Sequence, residues 1–408
     1  MPIPPVDGIA ARPGRRPLTG LVLTGGGARA AYQVGALQAI VELLDPSGSP
    51  GLANPFPIIC GTSAGSINAA ALACRADDPR KAVRRTRVLW EGLRTGQIYR
   101  SDAAGLLHSG ACWLGLLALG WLMPGRQRAQ PRSLLDNTPL RRLLESVLDF
   151  GRLQANIDRG ALSALAITAS GYTSGEHLTF YQASGGIAPW RRSLRRAVPD
   201  RLHAGHLMAS SAIPFIFPAH ALRVGGQLEW CGDGSMRQLA PISPAVHLGA
   251  DRVLVIGTGH RDDTHPEQRE DDPPYPSLAQ IGGHALSNIF LDSVSTDVER
   301  LERVNGFLRA APGAAQATGL RPVQALALGP SRSLDEMAMA HLGTMPRAVR
   351  TLFRVLGISA SRGKAGGGAL LSYLLFESVY TRELIELGYA DTMRRTEEVK
   401  AFFTEASA

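Results

Sequence analysis

The sequence has few cysteines and no long apolar segment, and both shortages narrow what the protein can be. Its four cysteines are scattered, and no C-x-x-C pair is present. This spacing predicts neither a zinc site nor a disulfide framework, but free and mostly buried thiols. The longest uninterrupted apolar run covers residues 110–123, and these 14 residues are fewer than the roughly 20 needed to span a bilayer.

The N-terminal residues lack the pattern of a secretory signal. Residues 1–17 contain prolines and arginines but no apolar core of the required length. We therefore expect a flexible lead into the first strand and no cleavable signal peptide.

Acidic residues are scarce in one region of the chain. Residues 75–142 contain 13 Lys and Arg against 5 Asp and Glu, whereas the remaining residues balance at 30 against 30. One region therefore carries the whole net charge of +8. Because no nucleic-acid recognition motif accompanies these cations, they favour an anionic membrane surface over nucleic acid as the partner.

Two strand–turn–helix units are predicted near the N-terminus. Residues 18–44, LTGLVLTGGGARAAYQVGALQAIVELL, have the pattern of a buried strand, a glycine turn and a helix, and residues 56–74, FPIICGTSAGSINAAALAC, repeat the plan. Two strands joined by a glycine turn are predicted within residues 162–182, and single strands at 251–259 and 322–329. This order predicts an α/β fold with a mostly parallel central sheet and helices on both faces.

The remaining segments are predicted to be mainly helical. A helix within residues 200–219 is expected to break at Pro214. Residues 261–276 are acidic and contain prolines, which predicts a linker or an exposed loop. Residues 277–308 are predicted to form a long amphipathic helix, and the whole region 277–408 is expected to be mainly helical and packed on the preceding domain.

The glycine turn at residues 25–30, GGGARA, has more than one interpretation. Gly25, Gly27 and Ala30 fit the dinucleotide pattern G-x-G-x-x-A. That pattern also requires an acidic residue about 20 positions later, at the end of the second strand. Asp45 is at this distance but follows the first helix and not the second strand. Alternatively, the uncovered backbone amides of the three glycines hold the oxyanion of an acyl-transfer reaction. The third interpretation is a close-packed turn that binds no ligand.

The sequence GTSAG at residues 61–65 lies between the second predicted strand and its helix. Glycines on both sides allow a sharp turn in which Ser63 protrudes beside backbone amides, as is typical of a nucleophilic serine. A serine hydroxyl needs a base that takes its proton. One candidate is Asp233, in a D-G turn after an apolar segment, either alone or as the acid of a triad with His260 or His265.

The motifs GGGARAAYQVG, GTSAG and DGS occur in this order, with ASSAIPFIFPA between the last two. In this combination residues 18–260 resemble the patatin-like phospholipases. The resemblance implies a three-layer α/β catalytic domain over these residues and a Ser-Asp dyad without histidine, with Ser63 as nucleophile and Asp233 as base. It implies neither a metal nor another cofactor.

The resemblance also implies a set of glycines and one arginine around the nucleophile. The residues that match the oxyanion-hole motif are Gly25, Gly26, Gly27 and Arg29. The residues that support the turns of the other motifs are Gly61, Gly65 and Gly234. Arg29 is expected either to stiffen its loop through hydrogen bonds or to meet an anionic headgroup.

Two positions depart from the family pattern. Ala30 stands where glycine is usual, and Ser235 stands where glycine or alanine usually follows D-G. Both residues are small, so these departures bear on substrate preference more than on catalysis.

An apolar segment with basic flanks is predicted to meet lipid. Residues 100–135, which contain the apolar stretch 103–125, are expected to form a lid or a membrane-docking insertion; a buried core hairpin and a tilted span are the alternatives. The membrane-docking candidates are Arg84, Arg85, Trp113, Trp121, Arg126 and Arg128. The expected location is cytoplasmic, peripheral at the inner face of the membrane.

The predicted function is a serine lipid acyl hydrolase of the phospholipase A or lysophospholipase type. It would cleave fatty-acyl esters of membrane phospholipids, or of another lipid, through an acyl-enzyme. A lipid acyltransferase would share that intermediate, and a catalytically silent lipid-binding protein is the alternative from another class. The sequence does not predict an oligomeric state.

Overall fold

The computed structural model describes residues 17–48, 51–101, 133–259, 293–311, 313–355 and 368–404. Ten strands within these ranges form a single sheet. They are β1 Thr19–Leu23, β2 Ile58–Thr62, β3 Ala164–Gly171, β4 His177–Ala183, β5 Arg191–Arg192, β6 Arg195–Pro199, β7 His220–Val224, β8 Gln227–Asp233, β9 Arg252–Ile256 and β10 Gln324–Leu328.

The helices of the described ranges are numbered here in chain order. They are α1 Ala31–Leu44, α2 Ala64–Ala73, α3 Pro79–Glu91, α4 Thr95–Ile98, α5 Thr138–Val147, α6 Phe150–Asp158, α7 Ala204–Ser210, α8 Ser243–His247, α9 Ser293–Ala310, α10 Gly313–Thr318, α11 Leu334–Ala340, α12 Arg347–Val355, α13 Gly368–Leu374, α14 Ser378–Arg394 and α15 Thr396–Thr404. Short 3-10 helices lie at Gly27–Ala30 and Leu342–Thr344.

The centre of the sheet is parallel. The strands lie in the order β10–β9–β1–β2–β3–β4–β6–β5, and every pair from β10 to β3 is parallel. Parallel strands are joined by crossovers that bury both faces of the sheet, which explains why these strands are mostly apolar and why β1, β2 and β9 are buried along their whole length. The mostly parallel α/β fold predicted from the two repeated units is confirmed.

Alternate residues of the parallel strands contribute to two separate cores. Leu21 and Leu23 lie in the core that contains α1, α2 and α14, whereas Val22 lies in the core that contains α8 and α9. This alternation follows from the two-residue period of a strand. The sheet is therefore the middle layer between two layers of helices.

The carboxyl edge of the parallel strands brings two strand ends together beside β3. β2 pairs with β3 up to Thr62, opposite Thr168, and β8 pairs with the next residues of β3, so that Asp233 lies opposite Ala169. β2 runs parallel to β3 and β8 runs antiparallel to it. The C-terminal ends of β2 and β8 therefore face each other along β3. Ser63 follows β2 directly, and this register brings it next to Asp233, 170 residues later in the chain.

The helices near the C-terminus are packed on the first helix of the chain. α14 crosses α1 where Gly35 faces the backbone of Ile385 and Gly388 faces the backbone of Tyr32. Neither glycine has room for a side chain, so the two helix backbones approach closely. α1 begins at the glycine turn, and α14 therefore supports the helix that fixes this turn.

The predicted helix within residues 200–219 ends earlier than expected. α7 stops at Ser210, and Pro214 has no N–H with which to bond the Ser210 carbonyl as the next helical turn would require. The Gly234 amide donates to this carbonyl instead, at 3.1 Å. Phe215 then adopts a left-handed φ of 64°, which ends any helical path. Of the predicted long helix at 277–308, the part from residue 293 lies in the described ranges, whereas the segments 103–125 and 261–276 lie outside them.

The cysteine prediction agrees with the structure where the structure describes it. Cys60, Cys74 and Cys231 are free and buried, and Cys112 lies outside the described residues. None of the helices in the described residues is both long enough and apolar enough to cross a membrane.

Candidate active site

Ser63 occupies the turn between β2 and α2 in a strained conformation. Its φ of 52° lies in the left-handed region that residues with side chains rarely adopt. The Ser63 amide donates to Ser210 Oγ at 2.8 Å, and its carbonyl oxygen accepts from the Ser66 amide at 2.9 Å. These bonds fix the backbone on both sides of the Ser63 hydroxyl.

The serine corner, residues 61–65, has no space for side chains at its two glycines. A Cβ at Gly65 would overlap the carbonyl oxygens that end β1, and a Cβ at Gly61 would overlap the first turn of α2. Gly234 is equally confined, because it faces the carbonyl of Thr168. The three glycines that the motifs single out therefore allow α2 to approach β1 and β2, and the turn after Asp233 to approach β3.

Asp233, the last residue of β8, contacts Ser63 directly. Ser63 Oγ donates to Asp233 Oδ2 at 2.6 Å, and the Ser235 amide donates to Asp233 Oδ1 at 2.8 Å. The side chains of Asp233 and Ser63 are buried, with relative exposures of 0% and 2%. The contact is therefore shielded from bulk water.

Burial changes the acidity of Asp233. It raises the pKa of the carboxyl group from 3.8 to about 6, against the hydrogen bonds from Ser63 and Ser235, which lower it. A carboxylate with this pKa is still mostly ionised at pH 7 but is a stronger base than an exposed aspartate. The environment therefore suits a group that accepts a proton from a hydroxyl.

Histidine does not bond to Ser63 or Asp233 anywhere in the described ranges. His177 approaches the same turn, with Nε2 3.1 Å from the carbonyl oxygen of Gly234. Burial lowers the pKa of His177 to about 4, so the ring is neutral at pH 7. His260 and His265, the histidines considered for a triad, lie outside the described residues.

The glycine loop, residues 24–27, connects β1 to the first helix. The carbonyl oxygens of residues 24, 25 and 26 accept hydrogen bonds from Gln33, Thr258 and Arg29 at 2.9, 2.6 and 3.1 Å. In a trans peptide the N–H points opposite to the C=O, so the amides of the three glycines point away from these donors. The amides of Gly26 and Gly27 bind no acceptor within the described residues.

Arg29 is held by the helices near the C-terminus. Its buried guanidinium forms an ion pair with Asp335, donates from Nε to Ser372 Oγ at 2.8 Å, and lies 4.1 Å from the centroid of the Tyr373 ring. Of the two roles considered for Arg29, this geometry matches stiffening of the loop. The partners follow Arg29 by more than 300 residues, and no local pattern of the sequence points to them.

Gly27 lies under the same helix, α13. Its φ is 55°, and it faces the carbonyl of Tyr373 so closely that a side chain would not fit. Both strain and close approach therefore require glycine at this position. The glycine loop is confined by α13 at Gly27 and by the Arg29 ion pair.

An apolar pocket opens beside Ser63 and Gly27. The space between its walls, counted out into the open solvent at its mouth, is about 570 Å³. The polar side chains in its lining are Ser63 and Ser211. The apolar side chains are Ala64, Ile67, Leu89, Trp90, Leu93, Ile98, Leu140, Leu143, Leu144, Ile213, Phe217 and Phe376. This lining fits a hydrocarbon chain, because it offers few polar groups to a sugar or a base.

Ser211 is a site residue that the sequence motifs did not single out. It is 7% exposed, and its hydroxyl has no hydrogen-bond partner within the described residues. A buried hydroxyl without a partner costs about 1–3 kcal/mol. The tandem serines of ASSAIP were the available signal, and the structure distinguishes them, because Ser210 binds the Ser63 amide and Ser211 faces the pocket.

Three further candidates within the described residues do not line this pocket. Asp45, the acid of the dinucleotide pattern, follows the last residue of α1 and forms an ion pair with Arg80. The length of α1, about 21 Å, separates it from the glycine loop. Arg84 and Arg85 are exposed on α3. The remaining membrane-docking candidates lie outside the described residues, namely Trp113, Trp121, Arg126 and Arg128.

In the ranges that the structure describes, no group of three or more His, Cys, Asp or Glu side chains is arranged so that it could hold a metal ion.

Comparisons with solved structures found matches of low overall similarity. VipD from Legionella pneumophila is 12% identical, with 94% of this chain and 67% of that chain covered, at a TM-score of 0.33. A chain of the heterodimeric ExoU–SpcU complex from the type III secretion system of Pseudomonas aeruginosa is 17% identical, with 95% and 77% covered, at a TM-score of 0.27. A comparison with individually curated proteins found no match.

The family comparison covers more than half of the chain. The family model described as patatin-like phospholipase matches residues 21–246, which include the glycine loop, the serine corner and the turn at Asp233. The family resemblance of the three motifs is thereby confirmed. The chain belongs to the patatin-like phospholipases and is an enzyme that hydrolyses lipid esters.

Proposed function

We propose that the protein is a phospholipase A or lysophospholipase whose catalytic dyad is Ser63 and Asp233. The observation that carries this proposal is the hydrogen bond of 2.6 Å from Ser63 Oγ to Asp233 Oδ2 beside an apolar pocket. A hydroxyl that already donates to a buried carboxylate has the direct path for its proton that a nucleophile requires.

Asp233 acts as the base in this proposal. As Ser63 Oγ attacks the ester carbonyl, its proton passes to Asp233 Oδ2, whose raised pKa of about 6 favours acceptance. Collapse of the tetrahedral intermediate breaks the bond to the alcohol, and Asp233 returns the proton to the leaving alkoxide. The lysolipid or alcohol departs, and the acyl group remains on Ser63.

Water completes the reaction. It attacks the acyl ester and gives a proton to Asp233, and the proton returns to Ser63 Oγ as the fatty acid leaves. Transfer of the same acyl group to another alcohol would use identical residues, so product analysis distinguishes hydrolysis from transfer.

The oxyanion is assigned to backbone amides. The free amides of Gly26 and Gly27, with that of Gly25, lie in the loop that shares the pocket with Ser63. The N-terminus of α2 follows Ser63 directly, and its dipole is positive there. One well-placed donor contributes about 3 kcal/mol to such a transition state. Arg29 holds the loop in this scheme and does not contact the substrate.

The pocket is assigned to the fatty-acyl chain. Its lining is almost entirely aliphatic and aromatic, and burial of a hydrocarbon chain contributes about 0.8 kcal/mol per methylene group. The free hydroxyl of Ser211 is assigned to an oxygen of the lipid near the scissile ester. We therefore expect activity to rise with acyl length until the pocket is filled.

The test is release of fatty acid from phospholipid vesicles by wild type, Ser63→Ala and His177→Gln. His177→Gln is the matched control, because His177 binds the same turn but is not the proposed base. We expect Ser63→Ala to lose release and His177→Gln to keep it. Release by Ser63→Ala at the wild-type rate would overturn the nucleophile, and a folded but inactive His177→Gln would overturn the histidine-free dyad.

A further inference from the structure

Half of the large apolar side chains that are exposed in the described ranges lie in one part of the chain. Of twelve such side chains, six fall between residues 172 and 239, with relative exposures of 45% to 75%. We name these six the apolar rim. They are Tyr172, Leu194, Phe215, Leu228, Trp230 and Leu239.

The turns that carry the apolar rim lie at the active-site edge of the sheet. Tyr172 follows the last residue of β3, and Leu194 precedes β6, which begins beside the start of β4. Because β4 runs antiparallel to β3, both turns lie at the carboxyl edge. Phe215 lies in the turn after α7, in the segment that binds the Asp233 amide, and Leu239 follows Asp233 in the next turn.

The β7–β8 hairpin extends the apolar rim beyond the sheet. Cys231 pairs with Gly171, the last residue of β3, so Trp230 and Leu228 lie past the end of that strand. At about 3.3 Å per residue, Leu228 lies about 10 Å beyond it. Trp230 and Leu228 are two residues apart and therefore point to the same face of the hairpin, which is exposed.

Backbone strain accompanies the display of these side chains. Leu194, Phe215 and Arg237 have φ values of 55°, 64° and 62°, and the other non-glycine residue with positive φ in the described ranges is Ser63. Bulky residues are unfavourable there, and glycine or asparagine would form the same turns without this strain. Leu194 and Phe215 are nevertheless 60% and 75% exposed, so two of these strained positions carry large apolar groups that face outward.

The charge that faces outward beside the apolar rim is positive. Arg223, opposite Leu228 on the hairpin, and Arg237 are exposed and form no ion pair with any acid in the described ranges. The acids of the same hairpin point inward: Glu229 accepts from two backbone amides of the turn after β3, and Asp233 contacts Ser63. Apolar groups with uncompensated arginines match an anionic lipid surface.

We propose that the apolar rim docks on an anionic phospholipid bilayer and brings the Ser63–Asp233 edge against it. This inference rests on the proposed function, since the lipid must reach Ser63 from that surface. Aromatic and aliphatic side chains enter the interface between headgroups and acyl chains, and Arg223 and Arg237 pair with lipid phosphates. The apolar rim is a different part of the chain from residues 100–135, for which the sequence predicts a lid or a membrane-docking insertion.

The experiment compares two matched double variants of the full chain. Leu228→Ser with Trp230→Ser removes apolar groups from the hairpin. The control, Phe307→Ser with Leu320→Ser, removes two apolar side chains that are 55% and 45% exposed and lie beside two arginines. This pair is at the opposite edge of the sheet, where Asn305 binds the residue before β10. All four side chains are exposed, and the melting temperature of each variant verifies that it folds.

Binding is measured by cosedimentation with vesicles of phosphatidylglycerol and phosphatidylcholine, in a Ser63→Ala background that does not consume the lipid. We expect the hairpin variant to bind about tenfold or more weakly than the parent and the opposite-edge variant to bind as the parent does. Replacement of Arg223 and Arg237 by Gln should abolish the preference for phosphatidylglycerol. Equal binding by both double variants, or a change of oligomeric state in the hairpin variant alone, would overturn the proposal.

Activity separates this proposal from the proposed function. With Ser63 present, the hairpin variant should hydrolyse p-nitrophenyl butyrate, a soluble ester, at the wild-type rate and vesicle phospholipid more slowly. If wild type binds vesicles through the apolar rim but Ser63→Ala retains hydrolysis, the dyad is wrong and the docking surface stands. If wild type requires Ser63 but the hairpin variant hydrolyses vesicles normally, the docking surface is wrong and the dyad stands.

Discussion

The glycine loop after β1 and the serine corner after β2 both join a buried parallel strand to a helix at the same edge of the sheet. The serine corner is fixed by neighbours within the domain, since Ser210 binds the Ser63 amide and Asp233 binds its hydroxyl. The glycine loop is held by Gln33 and Thr258 through its carbonyl oxygens. It is also held from the C-terminal region, through the Arg29–Asp335 ion pair and the carbonyl of Tyr373 against Gly27.

Because of this difference, attack by the serine and stabilisation of the oxyanion depend on different parts of the chain in the proposed mechanism. The nucleophile and base depend on residues that the family model covers, 21–246. The proposed oxyanion donors depend on helices outside that range, α11 and α13. We therefore expect damage at the serine corner to remove the chemical step, and damage at α11 or α13 to weaken transition-state stabilisation while Ser63 stays reactive.

The largest effect is expected for Asp233→Asn. Asparagine keeps the shape of the side chain but cannot accept the Ser63 proton, and loss of such a partner lowers kcat by about 10³- to 10⁴-fold. The rate on p-nitrophenyl butyrate measures this step without a membrane. In wild type, kcat/KM should fall as the pH drops through about 6, because protonated Asp233 is no longer a base. An Asp233→Asn rate within tenfold of wild type would contradict the assignment.

The second effect tests the glycine loop. Arg29→Met removes the ion pair with Asp335 and the bond to Ser372, and we expect kcat to fall about 10- to 100-fold, less than for loss of a complete oxyanion donor. KM for the soluble ester should change little. Asp335→Asn keeps an oxygen acceptor for Arg29 and should lose less activity than Arg29→Met. An Arg29→Met enzyme with normal kcat would show that the C-terminal helices do not hold the loop.

Much of this comparison could be predicted from the sequence at the serine corner. GTSAG between a strand and a helix is a local signal that indicates Ser63 as a nucleophile, whereas the D-G turn alone also fits an ordinary turn. Asp233 is implied as the base by the occurrence of all three motifs together. The Arg29 partners could not be found, because Asp335 and Ser372 lie in short helices with no motif and more than 300 residues after Arg29. Ser211 was missed because the sequence does not distinguish its orientation from that of Ser210.

The third effect concerns stability, because a buried base is costly to the fold. Between pH about 4 and 6 the native state keeps the Asp233 proton and the unfolded chain has released it, so the free energy of unfolding of wild type falls as the pH rises through this interval. The change amounts to at most about 3 kcal/mol. Asp233→Asn cannot ionise, so it should gain stability over wild type at pH 7 but not at pH 4. Chemical denaturation at both pH values measures this, and an equal difference at both would contradict it.

The smallest effect is expected at Ser211. Loss of one hydrogen bond to the substrate corresponds to about 1 kcal/mol, or about fivefold, so Ser211→Ala should raise KM for phospholipid about fivefold with kcat unchanged. Ser210→Ala is the matched control, since it removes the bond to the Ser63 amide and should lower kcat instead. A lower kcat in both variants would mean that Ser211 acts on the nucleophile and not on the lipid.

The most direct test of the dyad is covalent labelling with a fluorophosphonate, followed by mass spectrometry and by the labelling rate as a function of pH. The account predicts one adduct on Ser63, a rate that rises with pH through about 6, and loss of labelling in Asp233→Asn. An adduct on another residue, or an undiminished rate in Asp233→Asn, would contradict it.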